Sequence, residues 1–128
     1  MKKLIPLLLP LFVFIASPVN AGDGNHLLND CKEAIAMIDT EKREYNSLEG
    51  ATCFGYIRGV TQLYSFLTDI EVVNPRFCLS SQTNTSQLIR IIVKNLKEHP
   101  EELHHPAPVL VLNALNKAFP CTEQQSPK

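Results

Sequence analysis

The segment LEGATCFGYIRGVTQLYSFLT, residues 48–68, decides the fold class of this chain. Its apolar side chains recur every three or four residues, the spacing that places them on one face of an α-helix. That face consists of Cys53, Tyr56, Ile57, Val60, Leu63, Tyr64 and Leu67, with a polar stripe of Arg58, Thr61, Ser65 and Thr68 beside it. The segment therefore predicts a long amphipathic helix that packs one face against a core.

Gly55 and Gly59 lie one helical turn apart in this segment, and each costs about 1 kcal/mol of helix propensity relative to alanine. Such a pair has two explanations. A partner helix could dock closely on the flat strip that the glycines leave, or the glycines could allow close packing inside the domain's own core. We favour packing in the core.

Three further helices are predicted around the central one. They cover residues 27–38, residues 85–98 after a capping residue at Asn84, and residues 107–119. Between residues 69 and 85 the apolar pattern stops at Pro75 and a polar cluster follows, which predicts a long loop. With no period-two strand pattern, we expect an all-α domain of about four helices arranged as two helical hairpins.

The first 21 residues have the pattern of a secretory signal peptide. Lys2 and Lys3 precede an apolar run, and small residues ending at Ala21 follow it. Removing them from the 128 residues leaves 107, enough for one domain at residues 22–121 with a flexible tail at 122–128. Ten Lys and Arg against thirteen Asp and Glu then remain, and their scatter gives no footprint for nucleic-acid binding. The apolar run is too short to span a membrane, so we expect no membrane association after cleavage.

The four cysteines, Cys31, Cys53, Cys78 and Cys121, all follow the predicted signal peptide. An even number of cysteines in a small exported chain indicates two disulfides. A short connection makes the first two helices antiparallel, which brings Cys31 beside Cys53. The second hairpin likewise returns Cys121 to Cys78. We predict the pairs Cys31–Cys53 and Cys78–Cys121.

The segment KEHPEELHHPAP, residues 97–108, is the strongest candidate for chemistry. His99, His104 and His105 could bind zinc with a glutamate, but two of them flank a proline-bearing bend and no helical HExxH motif is present. A turn between helices, with Leu103 tucked under it, is the interpretation we favour. We predict no metal, no cofactor and no catalytic residue.

Other catalytic groupings are also weak. All cysteines are committed to disulfides, and no serine lies in a GxSxG-type turn. Ser80 and Ser81 are typical turn residues. Glu101 and Glu102 are adjacent and have no predicted apolar wall around them, so the sequence contains no catalytic constellation.

Three segments together resemble the Rap/Tai family of type VI secretion amidase immunity proteins. They are CFGYIRGV at residues 53–60, FCLS at 77–80 and QLIRIIVKNLKEHPEELHHPAPVLVLNALNKAFPC at 87–121. The combination of a GYI-x-GV helix, HPE after an amphipathic helix and a terminal FPC carries the resemblance. Ser80 departs from the family, which often has a proline at that position.

The resemblance implies a periplasmic immunity protein, often homodimeric, that occludes the active site of a peptidoglycan amidase effector and is not an enzyme. Because the long loop is polar and held by Cys78, we predict partner contacts at Asn74, Arg76, Ser80, Ser81 and Gln82. A second candidate surface consists of Glu101, Glu102, His104 and His105.

Two alternatives to immunity remain open. The chain could be a small helical periplasmic stress chaperone that exposes apolar surface at low pH, for which the clustered histidines would be the titrating groups. It could also be a family member with another envelope role and no toxin partner.

Overall fold

The computed structural model describes residues 22–39 and 46–122 of the chain. They form four α-helices: α1 at Gly24–Ile38, α2 at Ser47–Asp69, α3 at Thr85–Glu98 and α4 at Ala107–Ala118, with a short 3-10 turn at Pro100–Glu102. Across these two ranges there is no β-strand, only an isolated bridge between Asp23 and Pro106. The predicted all-α fold is confirmed. The predicted signal peptide and residues 123–128 of the predicted tail lie outside the described residues.

Side-chain caps set the starts of the first three helices. The carboxylate of Asp23 accepts the backbone N–H groups of Asn25 and His26, and the amide oxygens of Asn46 and Asn84 do the same for α2 and α3. Each cap supplies an acceptor to N–H groups that have no partner within the helix. The Asp23 cap explains why α1 begins three residues before the predicted start at residue 27.

The core lies where α1 and α3 meet the inner faces of α2 and α4. α1 packs mainly on α2 and also on α3, and α3 packs on α4. The largest fully buried side chains of the core are Ile57, Ile89, Ile92, Leu96, Leu110 and Leu115. α3 packs against α1, α2 and α4, and it is strongly amphipathic, with five buried residues at helical spacing.

Two disulfides fasten the helices in the predicted pairs, Cys31–Cys53 between α1 and α2 and Cys78–Cys121 between the long loop and the residues after α4. Cys31 and Cys53 are 0% and 1% exposed, whereas Cys78 and Cys121 are half-buried. The first bridge is therefore part of the core, and the second joins two surface segments.

Gly24 is required at the first position of α1. A Cβ there would lie 2.8 Å from the carbonyl oxygen and 2.9 Å from the Cα atom of Leu103, and it would also collide with the Leu110 side chain. Leu103 itself packs against the core, as predicted for a residue tucked under the connection. The glycine thus lets the start of α1 approach the α3–α4 connection.

The prediction that Gly55 and Gly59 pack inside the core is wrong. Both are exposed, and a Cβ built on either would meet nothing within 4 Å. Leu63, which was assigned to the inner face, is 58% exposed. The cause is the narrow contact of α2 with the core, which runs through Gly50, Cys53, Ile57 and Tyr64.

Candidate functional site

The loop of residues 70–84 leaves α2 through a tight reversal. Glu71 has a φ of +59°, a left-handed conformation that non-glycine residues rarely adopt. The N–H of Glu71 donates to the carbonyl of Thr68 at 3.1 Å, and that of Val72 donates to the carbonyl of Leu67 at 3.0 Å. The reversal satisfies the last carbonyls of the helix and turns the chain back along α2.

An aromatic pair attaches the middle of the loop to α2. The rings of Tyr64 and Phe77 are stacked, with centroids 4.2 Å apart and planes inclined by 12°. The Tyr64 hydroxyl also accepts a hydrogen bond from the backbone N–H of Arg76. Phe77 is 4% exposed, so this part of the loop belongs to the core although the preceding residue, Arg76, is exposed.

Cys78 attaches the next residue to the end of α4. It forms the disulfide with Cys121, and its backbone N–H donates to the carbonyl of Phe119 at 2.9 Å. One residue on, Leu79 packs partly buried against the core. Residues 77–79 therefore act as a fixed point that divides the loop into two surface segments.

The five predicted contact residues lie on these two segments. Asn74 and Arg76 precede the fixed point, Ser80, Ser81 and Gln82 follow it, and all five are exposed. The second segment has a turn of its own, because the N–H of Thr83 donates to the carbonyl of Ser80 at 3.0 Å and their hydroxyls are 3.1 Å apart. These contacts with Thr83 make Ser80 a turn residue, as predicted.

A cleft of about 340 Å³ lies between α2 and the fixed part of the loop. It is lined by Thr61, Tyr64, Ser65, Thr68, Pro75, Phe77, Cys78 and Leu79. The α2 residues of this cleft were not among the predicted site residues. In the sequence Tyr64 has the spacing of an ordinary core residue, and the available signal was Phe77, an aromatic residue beside a cysteine in the loop.

The second candidate surface is the connection between α3 and α4. His99 ends α3 as predicted, and its Nδ1 lies 3.2 Å from Oε1 of Glu101. A hydrogen bond from its own backbone N–H, followed by one from the His99 side chain, lowers the pKa of Glu101 below its ordinary value. The rings of His104 and His105 are 4.1 Å apart. Apart from the half-buried Glu102, the predicted residues of this surface are exposed.

The two candidate surfaces lie at opposite ends of the bundle. The loop is attached at the C-terminal end of α4 through Phe119 and Cys121, whereas the connection leads into its N-terminal end. The connection is also tied to the start of α1, where the N–H of Gly24 donates to the carbonyl of His105 at 3.1 Å. The 12 residues of α4 separate the two by about 18 Å, so the structure does not join them into one site.

Only one group of side chains in the described ranges could approach a single metal ion. His99, Glu101 and Glu102 offer ligand atoms within 4.8 Å of one another. His104 and His105, which the sequence analysis considered beside His99, are not in the group. All three side chains are at least partly exposed, and His99 already pairs with Glu101. The same arrangement is therefore explained by a surface ion pair without a metal.

These features define a class of protein: a small helical scaffold that is fastened by two disulfides and carries a long loop fixed at its middle. A family model of the Rap1a immunity proteins matches residues 23–121. The chain belongs to this family, as the sequence resemblance predicted. No curated protein and no solved structure matches it.

Membership gives the function in coarse terms. Proteins of this kind bind a cognate secreted effector, are generally not enzymes, and are usually exported and disulfide-bonded. Within residues 22–39 and 46–122, none of the helices has the length and apolar character needed to cross a membrane. Because the chain belongs to the Rap1a family, it is an immunity protein for a secreted effector.

Proposed function

We propose that this chain is a periplasmic immunity protein of a type VI secretion system. It binds a secreted peptidoglycan amidase, occludes the active-site cleft of that enzyme and protects the producing cell from its own effector. It acts as an inhibitor and has no catalytic activity of its own. The observation that carries the proposal is the loop of residues 70–84, which exposes polar side chains on both sides of Phe77 and Cys78 and is fixed to the scaffold at these two residues.

A fixed loop suits an inhibitor for a thermodynamic reason. A flexible segment loses conformational entropy when it enters a cleft, and this loss subtracts from the binding free energy. Here the stack on Tyr64, the bridge to Cys121 and the Ser80–Thr83 turn already restrict the loop in the free protein. The exposed Asn74, Arg76, Ser80, Ser81 and Gln82 then supply hydrogen-bonding groups to the enzyme.

Two features support a periplasmic location. Two disulfides are typical of proteins that fold in an oxidising environment such as the periplasm, and the pattern of residues 1–21 is that of an export signal. The sequence resemblance that suggests an amidase as the effector also suggests a homodimer.

The test uses the mature, oxidised protein and the amidases encoded next to its gene. Binding is measured by calorimetry, and peptidoglycan hydrolysis is followed with and without the protein. We expect a stoichiometric complex and loss of hydrolysis. The triple variant Asn74→Ala/Arg76→Ala/Ser81→Ala should weaken binding by at least about 30-fold, as for loss of a contact at the centre of an interface.

A matched control comes from the other end of the bundle. The triple variant Glu102→Ala/His104→Ala/His105→Ala removes a similar number of polar groups about 18 Å away and should bind like the unmodified protein. If it is the one that loses binding, the contact surface is the α3–α4 connection instead. If no amidase is bound or inhibited, the amidase proposal is wrong and the chaperone alternative is tested next by apolar-dye binding at low pH.

A further inference from the structure

The outward side of α2 is apolar where a solvent-facing helix surface is normally polar. Leu63, Phe66 and Ile70 are 58%, 57% and 50% exposed, and Leu48 at the start of the helix is 76% exposed. Leu63, Phe66 and Ile70 recur at spacings of three and four residues, so they share one side of the helix. Single exposed apolar residues are common, but a continuous row of them marks a surface that binds another protein.

Gly55 and Gly59 extend this row toward the start of α2. At about 100° per residue they project on the same side as Phe66, opposite the buried Cys53 and Ile57. Both are exposed, with open space where a Cβ would lie. Packing within the domain therefore does not explain either glycine, because a side-chain Cβ at these positions would contact no other part of the described structure within 4 Å.

We infer that this surface, which consists of residues 55, 59, 62, 63 and 66 of α2 and the residue that ends the helix, Ile70, binds the same surface of a second copy of the chain. The inference deepens the proposed function by assigning its homodimer to one surface, and it does not depend on the amidase. The two α2 helices run antiparallel, with the two-fold axis passing between Gln62 and Leu63.

The distribution of small and large residues carries this arrangement. The two glycines are four residues apart, and so are Phe66 and Ile70. In an antiparallel pair centred between positions 62 and 63, Gly59 faces Phe66 of the second copy and Gly55 faces its Ile70. Each large side chain thus faces a glycine of the second copy. Both pairs occur twice, because the two-fold axis repeats every contact of the interface. The glycines also allow the two backbones to approach closely.

Charge complementarity supports the same register. Arg58 and Asp69 lie on one edge of the surface, and both are exposed. The two-fold axis brings this edge of one copy against the same edge of the other. Arg58 then lies about 3 Å along the axis from Asp69 of the second copy, within reach of an ion pair. The pair occurs twice.

The first experiment measures the mass and the dissociation constant of the mature, oxidised protein by analytical ultracentrifugation. We expect a dimer. Gly59→Leu should raise the dissociation constant by at least about 30-fold without lowering the stability of the monomer, because the new side chain enters open space and leucine favours a helix. Loss of the dimer therefore cannot be attributed to misfolding.

A matched pair tests the apolar contact. Phe66→Glu should abolish the dimer, whereas Val109→Glu, at an apolar residue of α4 that is 47% exposed, should leave it intact. The register is tested by charge reversal: Arg58→Glu and Asp69→Arg should each weaken the dimer, and the double variant should restore it.

Three results would overturn the inference. They are a monomer at all concentrations, a dimer insensitive to Gly59→Leu and Phe66→Glu, and loss of amidase binding in these two variants while a dimer persists. The last result would assign the surface to the effector. Failure to bind any amidase would leave the dimer measurement unaffected, so the two proposals fail separately.

Discussion

Tyr64 of α2 and Phe77 of the loop lie with their rings stacked at 4.2 Å, and this contact joins the longest helix to the candidate binding surface. The tyrosine hydroxyl adds a second attachment by accepting the N–H of Arg76. Because one side chain both packs and hydrogen-bonds, its two contributions can be separated by substitution.

Tyr64→Phe removes the hydroxyl and keeps the stack. It leaves the N–H of Arg76 without its acceptor, so we expect a loss of about 1 kcal/mol in the free energy of unfolding and weaker inhibition of the effector. Tyr56→Phe is the control. In the described part of the chain the Tyr56 hydroxyl is buried with no hydrogen-bond partner, so its removal should be neutral or stabilising. Denaturant unfolding of both variants checks the prediction, and equal losses would refute it.

Phe77→Ala removes the buried half of the stack. A side chain that is 4% exposed leaves a cavity when truncated, and the expected loss in unfolding free energy is about 3–5 kcal/mol. Phe77→Leu keeps most of the apolar volume and should lose clearly less. If both variants are as stable as the unmodified protein, the loop is not anchored at this residue.

The two disulfides should differ in their response to a mild reductant. The Cys78–Cys121 bridge is half-buried and should be reduced first, while the fully buried Cys31–Cys53 bridge persists. Losing the first bridge should lower the free energy of unfolding by about 2–4 kcal/mol and weaken inhibition, since the loop loses its attachment to α4. Alkylation of free thiols and peptide mass spectrometry along a dithiothreitol titration give the order. Simultaneous reduction would contradict it.

Two buried helical glycines should respond differently to alanine. In Gly24→Ala the new methyl group meets backbone atoms of Leu103, which cannot move without shifting the α3–α4 connection. In Gly50→Ala it meets the flexible end of the Met37 side chain, which can change rotamer. We expect Gly24→Ala to lose about 1–3 kcal/mol and Gly50→Ala to lose less. Thermal unfolding of the pair measures the difference, and the reverse order would show that α1 adjusts more easily than Met37.

Acid should remove the cap of α1. The backbone N–H of His26, followed by the His26 side chain, lowers the pKa of Asp23 from 3.8 to about 2. A carboxyl group whose pKa is lower in the folded state stabilises that state above the unfolded pKa, and its contribution disappears as the pH falls through the folded value. Asp23→Ala should therefore be less stable than the unmodified protein at pH 5 to 7. In urea unfolding curves the difference should shrink as the pH falls from about 4 and be smallest below about pH 2, and a gap that is constant with pH would exclude the charge as its cause.

Most of the fold could be predicted because it depends on short-range signals. Apolar spacing gave the four helices, and a proline or an asparagine cap set several ends, as at Asn84 and Pro100. The cysteine pairs followed from the hairpin arrangement alone. The start of α1 was placed too late because Asp23 precedes the first apolar residue by several positions.

The surface of α2 and the attachment of the loop could not be predicted from spacing. Gly59 and Leu63 fit an inward-facing pattern, and only the three-dimensional contacts show that the core stops short of them. The Tyr64–Phe77 stack joins residues 13 positions apart across a loop whose path the sequence does not encode locally. The contact residues from Asn74 to Gln82 remain a prediction, since their exposure is compatible with binding and with simple solvation.

The cysteines pair in the order in which they occur along the chain, first with second and third with fourth. In the proposed export, which begins with the N-terminus, the Cys31–Cys53 bridge can form before Cys78 has crossed the membrane. An oxidase that joins cysteines as they emerge would then produce both native bridges directly, with no wrong pair left for exchange with another thiol. Maturation of this protein should therefore require a disulfide-forming enzyme and be independent of a disulfide isomerase.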